Sequence, residues 1–311
     1  YMLLFTKPIA RPAIWGGTLL REYFRYPDFP DGIGQSWSFS AQEGAGQSNV
    51  LVGGPYDGKT LLEVWQEAPE LFRSRWERFP VIISLVAPVD DLSLQIHPTA
   101  AIAAQAGYPT GKNEAWYFLE AKEGASIVYG QQTQNEAELR EKTAADQWQD
   151  IIEYLPVHQG DFVYLPAGIV HALKKGSIVY EIQQATDVTY RFYDYHRRDA
   201  QGHERPLQLE EAIRCVDYSL TQQDAHPAPV NAGDETVRVT TFIRNDSFCV
   251  RRYDVNGEKT LHFDHYELMT CTAGEGTLNG TPVHIGESCL VTVDSDVTVA
   301  GHMTLMTTAE E

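Results

Sequence analysis

Between residues 36 and 195 the chain divides into short runs rich in Val, Ile, Tyr and Phe, separated by Gly, Pro and Asp turns. The runs fall at 36–41, 81–87, 92–97, 114–119, 126–129, 161–165, 170–174, 178–183 and 188–195. This is the pattern of an antiparallel sandwich or barrel. Helical signals are few and peripheral. One helix is expected to begin at Thr60, where Thr60 and Glu63 form a capping box and Leu61, Val64 and Trp65 form an apolar stripe, with Pro69 as its breaker. Two more are expected over 135–145 and 207–216.

After Tyr195 a polar connector and a short helix lead into the stretch HPAPVNAGDE, a linker by composition. A second β-rich block with Gly turns follows. The expected division is therefore 1–205 for an N-terminal segment with the main sandwich, 206–235 for a helical connector and linker, and 236–311 for a smaller β domain. That last block has the character of a degenerate copy of the first and lacks a Pro-x-Gly-x-x-His element, so no metal is expected in it.

A chain of 311 residues with 43% hydrophobic residues can fill one large or two modest cores. Its longest apolar stretch, 81–89, is interrupted by Ser84 and Pro88 and falls far short of the roughly 20 residues that span a bilayer. Its opening residues carry no secretory signal pattern. Cys215, Cys249, Cys271 and Cys289 are far apart with no C-x-x-C, which fits reduced thiols in a cytoplasmic protein. A formal charge of −19 argues against nucleic acid and anionic membranes as partners. Any phosphorylated small molecule would need local cations strong enough to reverse that field.

Four side chains fit one metal site: Gln95, His97, Glu114 and His171. Gln95 and His97 stand two apart on an alternating run and leave the same face of a strand. Glu114 shares a face with Trp116 and Phe118, and a carboxylate on an aromatic, inward-looking face needs a partner, most simply a cation. In GDFVYLPAGIVHAL, residues 160–173, a strand, a tight Pro/Gly turn and a return strand would carry His171. Two histidines, a carboxylate and a neutral amide oxygen suit zinc or a similar divalent ion.

The frame from Gly160 to His171 is similar to the second cupin motif, and Gln95-x-His97 followed by Glu114 resembles a modified first one. The segments IWGG (14–17), SW (36–37), DLSLQIHP (91–98), GKNEAWY (111–117), GDFVYLPAGIVHAL and DVTYRFYDYHR (187–197) together resemble the short bacterial form of the type I mannose-6-phosphate isomerases. The resemblance implies a cupin-type antiparallel β-sandwich, or jelly roll, with a few peripheral helices and a second, smaller β-sandwich at the C-terminus. It implies one zinc ion per chain on Gln95, His97, Glu114 and His171, and an active-site arginine at Arg191. It also implies a sugar phosphate as substrate, isomerised between aldose and ketose through a cis-enediol.

Arg191 alternates with Tyr190 and Phe192, so Thr189, Arg191 and Tyr193 are expected on one face. Lys112, two residues before Glu114 and matching a family lysine, is the leading proton carrier because it would stand beside the cation; a solvated loop lysine is the other reading. A metal-bound water or another acid/base stays open for that role. Ser93 matches a family serine, and Arg197, with Arg198, supplies positive charge for the phosphate. Three positions depart from the family pattern: Ser84 where a lysine is usual, Gln35 where a glutamate is, and Ala87 where an aspartate is common. Loss of the lysine is expected to weaken the hold on phosphate. The alternatives are a cupin enzyme for another sugar phosphate, an iron oxygenase, or a non-catalytic sugar-binding cupin. Gln95 and Glu114 in place of further histidines lean away from oxygen chemistry.

Overall fold

The computed structural model describes residues 2–310, and every strand pairing among them is antiparallel. The strands form three sheets. The central one has six strands in the order Phe162–Leu165, Glu114–Ala121, Ser177–Gln184, Val81–Val86, Ile33–Phe39 and Ile9–Gly17. Facing it is a five-stranded sheet in the order Tyr190–Tyr193, Leu94–Ile96, His171–Ala172, Ser126–Gln131 and Ile152–Pro156.

Period-2 alternation gives the central sheet two different faces. Trp116, Phe118, Val163, Val179 and Val86 point toward the five-stranded sheet and meet Ile127, Tyr129 and Leu173 there. The intervening residues Ala115, Tyr117, Leu119, Tyr180, Ile182, Ile83 and Leu85 face the opposite way, into a core shared with Phe242, Phe248, Leu268 and Met306. Burying each such large side chain contributes about 1.5–3 kcal/mol, so both faces of this sheet hold the molecule together.

The third sheet has nine strands and contains all those after residue 229. It also takes up Leu3–Thr6, which pairs with Ser288–Val291, and Leu51–Val52 beside it. The C-terminal block is thus completed by the start of the chain, so a cut by residue number near 205 or 235 does not separate the sheets. Cys215, Cys249, Cys271 and Cys289 are all free and buried.

Helices are peripheral. Leu61–Glu67 starts at the expected capping box, with Thr60 accepting from the Glu63 N–H and the Glu63 carboxylate accepting from the Thr60 N–H. Glu136–Ala144, capped by Asn135, and Leu209–Cys215 pack Leu139, Ala212 and Ile213 on the outer face of the five-stranded sheet. Leu19–Tyr23 and Ala100–Gln105 were not expected from the sequence pattern; at five and six residues each is too short to show a helical period. Among the described residues no helix is long and apolar enough to cross a membrane.

Candidate metal centre and active site

Four local structures bring the site together. The strand Leu94–Ile96 carries Gln95 and delivers His97 at its end, while Leu94 and Ile96 pack into the outer core. Leu92 instead joins the inner core, so the alternation begins only at Leu94, and Ser93 is buried just before it. The strand that opens at Glu114 holds this carboxylate, Trp116 and Phe118 on its inner face, as expected.

The Pro/Gly turn differs from expectation. Phe162–Leu165 and His171–Ala172 do not pair with each other: the first lies in the central sheet against Glu114–Ala121, the second in the facing sheet. The turn is a step between layers. Ile169 N–H donates to Pro166 O at 3.2 Å, and Gly168 N–H to His97 O at 3.0 Å, which ties the two histidine-bearing segments together. Gly168 has φ +96°, and a Cβ there would sit 3.0 Å from Asp217 Cβ, so the turn needs glycine.

His97, Glu114 and His171 converge, with one ligand atom from each lying within 4.8 Å of the others, and all three are buried. His97 Nδ1 donates to Val188 O and His171 Nδ1 to Ile169 O, both at 3.0 Å, because a carbonyl can only accept. Each Nε2 therefore turns a lone pair inward, and both Nε2 atoms are buried without a hydrogen-bond partner. Burial, with Lys112 nearby, lowers His97 well below the usual imidazole range and holds His171 at about 4, so both rings are neutral.

His97 Nε2 lies 3.0 Å from Glu114 Oε2, a lone pair against a carboxylate with no hydrogen between them. Glu114 has the Lys112 ammonium 3.9 Å away and an indole N–H on its other oxygen, but neither stands between Oε2 and the facing lone pair, and such a repulsion is costly in a buried site. A divalent cation between these atoms removes the conflict, and the residues present fit one.

Gln95 stands directly across from His171 on one neighbouring strand and from Arg191 on the other. Cross-strand partners share a face, so Arg191, Gln95 and His171 form a row beside His97. Arg191 is held by its backbone: its N–H donates to Gln208 Oε1 at 3.1 Å and its carbonyl accepts from Gln208 N–H at 3.0 Å. The side-chain Nε is buried without a partner. A bulge after Arg191 pairs Tyr193 with Leu94, so Tyr193 leaves the expected face and stacks on Trp148 at 4.9 Å.

Residues 238–309 match the family model described as mannose-6-phosphate isomerase, cupin domain. That span holds none of Gln95, His97, Glu114 and His171. Mannose-6-phosphate isomerase ManA of Bacillus subtilis is 34% identical over 280 residues, covering 88% of this chain and 87% of the relative. The mannose-6-phosphate isomerase of Streptococcus mutans is 34% identical over 277 residues, covering 88% of this chain and 86% of that one. The chain belongs to the mannose-6-phosphate isomerase family. A crystal structure of the Bacillus subtilis mannose 6-phosphate isomerase superposes with a TM-score of 0.94 at 31% identity over 99% of both chains. The cupin architecture is therefore that of the family.

Against the mannose-6-phosphate isomerase pattern, the departures at positions 84 and 35 meet on one residue that the sequence reading passed over. Glu181 lies in an apolar strand, directly opposite Trp116 on one side and Ser84 on the other. Ser84 Oγ donates to Glu181 Oε1 at 2.8 Å, and Gln35 Nε2 approaches the same oxygen at 3.3 Å. Both groups that meet Glu181 Oε1 in this chain are neutral. Ser84 is thus committed to Glu181. Burial, and then the Glu114 carboxylate, raise Glu181 above the usual carboxylate range. The argument applied to Glu114, a carboxylate on an inward apolar face, would have found Glu181 as well. Ala87 packs into the core between the central and C-terminal sheets, away from the site.

Lys112 is buried, not a solvated loop residue, with Nζ 3.9 Å from Glu114 Oε2. Asn113 anchors that segment by accepting from Ala167 N–H in the Pro/Gly turn at 2.9 Å. Arg197, expected at a phosphate, commits its two terminal nitrogens to Asp194, Asp90 and the Asp91 carbonyl, with Nε buried and unpartnered, so it pins the approach to Ser93. Arg198 pairs with Glu204 on the surface. A second His/Asp group, His262 with Asp264 and Asp294, is exposed on the C-terminal sheet. Both His262 ring nitrogens already face carboxylates, Asp296 at 2.8 Å and Asp264 at 3.1 Å, which marks a surface ion pair. A groove of about 760 Å³ between Phe24, Tyr26, Lys7 and His284 contains none of the site residues.

Proposed function

We propose that this protein is a metal-dependent aldose-ketose isomerase that interconverts mannose 6-phosphate and fructose 6-phosphate through a cis-enediol. The observation that carries this reading is the pair of inward Nε2 lone pairs against the Glu114 carboxylate, with Arg191 in the same row. Zinc suits this donor set of two neutral imidazoles, one carboxylate and the amide oxygen of Gln95, at one ion per chain. When bound, such an ion polarises a sugar carbonyl and its neighbouring hydroxyl and so acidifies the carbon-bound proton.

The chain's own groups do the rest. Lys112 carries the proton between C1 and C2, standing on the Glu114 side of the site. Arg191, permanently charged and with Nε unsatisfied, stabilises the negative charge that develops on the enediol oxygens. Ser93 and Arg197 are assigned to the phosphate end, where Arg197 holds the chain two residues before Ser93; KM for mannose 6-phosphate in their alanine variants reads that assignment. Acidic charge elsewhere leaves nucleic acid and membrane surfaces as poor partners, and a cytoplasmic location suits a sugar-phosphate enzyme with free thiols.

The test is a coupled assay for fructose 6-phosphate formed from mannose 6-phosphate by the metal-replete protein. Turnover is expected, and Lys112→Met is expected to lower kcat by roughly 10²–10⁴ with its metal content unchanged. Absence of turnover on this substrate would move the reading to another sugar phosphate, and an unchanged kcat and pH profile in Lys112→Met would dismiss the lysine.

A further inference from the structure

Glu114 and Glu181 are two buried carboxyls in direct contact on adjacent strands, and both also accept from one indole N–H. The Trp116 indole Nε1 is 2.6 Å from Glu114 Oε1 and 2.9 Å from Glu181 Oε2, and the ring is wholly buried. Indole offers one donor and no acceptor, so this is a three-centre bond shared by both carboxyls. Register dictates the meeting: Trp116 follows Glu114 by two on one inner face, and Glu181 stands directly across from Trp116.

Each carboxyl then has its second oxygen assigned. Glu181 Oε1 accepts from Ser84 and Gln35, while Glu114 Oε2 turns toward His97 Nε2 at 3.0 Å and Lys112 Nζ at 3.9 Å. Without the indole N–H, Glu114 Oε1 would lose the donor 2.6 Å away, and the carboxyl's orientation would rest on its contacts with Glu181 and Lys112.

We propose that Trp116 is a positioning residue, whose N–H clamps Glu114 so that one oxygen, Oε2, is presented toward His97, and holds Glu181 beside it. This rests on the metal reading of the His97, Glu114 and His171 group. Partners that orient a metal ligand in this way change metal affinity when removed, whereas a ring that only fills the core does not.

Two variants separate the N–H from the ring. Trp116→Phe keeps an aromatic core, and tryptophan replaced at position 116 alone by 3-benzothienylalanine keeps the bicyclic shape without a donor. Zinc affinity is measured by competition with a chromogenic chelator on the purified proteins. Both variants are expected to bind zinc on the order of 10- to 100-fold more weakly than the parent. If the benzothienyl protein binds zinc as tightly as a parent that binds it well, the clamp is overturned and the metal reading stands. If the parent binds no divalent ion, the metal reading itself fails and the proposal falls with it.

Discussion

His171→Ala is expected to lose the bound ion and, with it, turnover of mannose 6-phosphate by roughly 10³-fold or more. The imidazole supplies one of the two inward lone pairs in this buried site, and alanine offers no ligand atom in its place. The ring also packs beside His97 and edge-on to Trp116, while its Nδ1 bond to Ile169 O lies within its own turn. A stability loss of about 1–3 kcal/mol is expected, typical of a single buried substitution, so the variant should remain folded. Metal analysis by inductively coupled plasma and the coupled assay, read on protein with a native circular dichroism spectrum, decide it. A folded variant that kept both ion and activity would remove His171 from the site.

Arg191→Ala is expected to behave differently, with kcat/KM falling about 10²- to 10³-fold while the metal content stays at the parent level. The contrast follows from geometry. Arg191 shares a face with Gln95 and His171 but offers only donors, so it can meet charge on a substrate and cannot ligate a cation. Its backbone is fixed from both sides by Gln208, so removing the side chain should leave the strand in place. Arg191→Lys should recover little, because an ammonium lacks the planar fork. Normal turnover in Arg191→Ala would end its catalytic assignment.

The parts of this site that could be read from sequence are those encoded by local period and turn chemistry. Alternation alone places Glu114, Trp116 and Phe118 on one inward face, and the Pro166/Gly168 turn does position His171. What the turn does not encode is its partner: the same residues serve a hairpin or a step between two sheets, and only the packing of Val163 and Leu165 against Leu173 decides for the step. Likewise, nothing in Leu3–Thr6 says that it pairs with residues almost three hundred positions later. A one-residue bulge moved Tyr193 across the sheet, which is beyond any strict period-2 reading. Glu181, Ser84 and Gln35 lie on three strands, so their meeting on one carboxyl appears only once register is known.

The site as a whole answers to one titration. Protein stripped by chelation should have no isomerase activity, and stepwise addition of zinc should restore it in proportion to bound metal, ending at one ion per chain. Turnover that persists in fully stripped protein, or activity that rises without any bound ion, would contradict the metal centre on His97, Glu114 and His171.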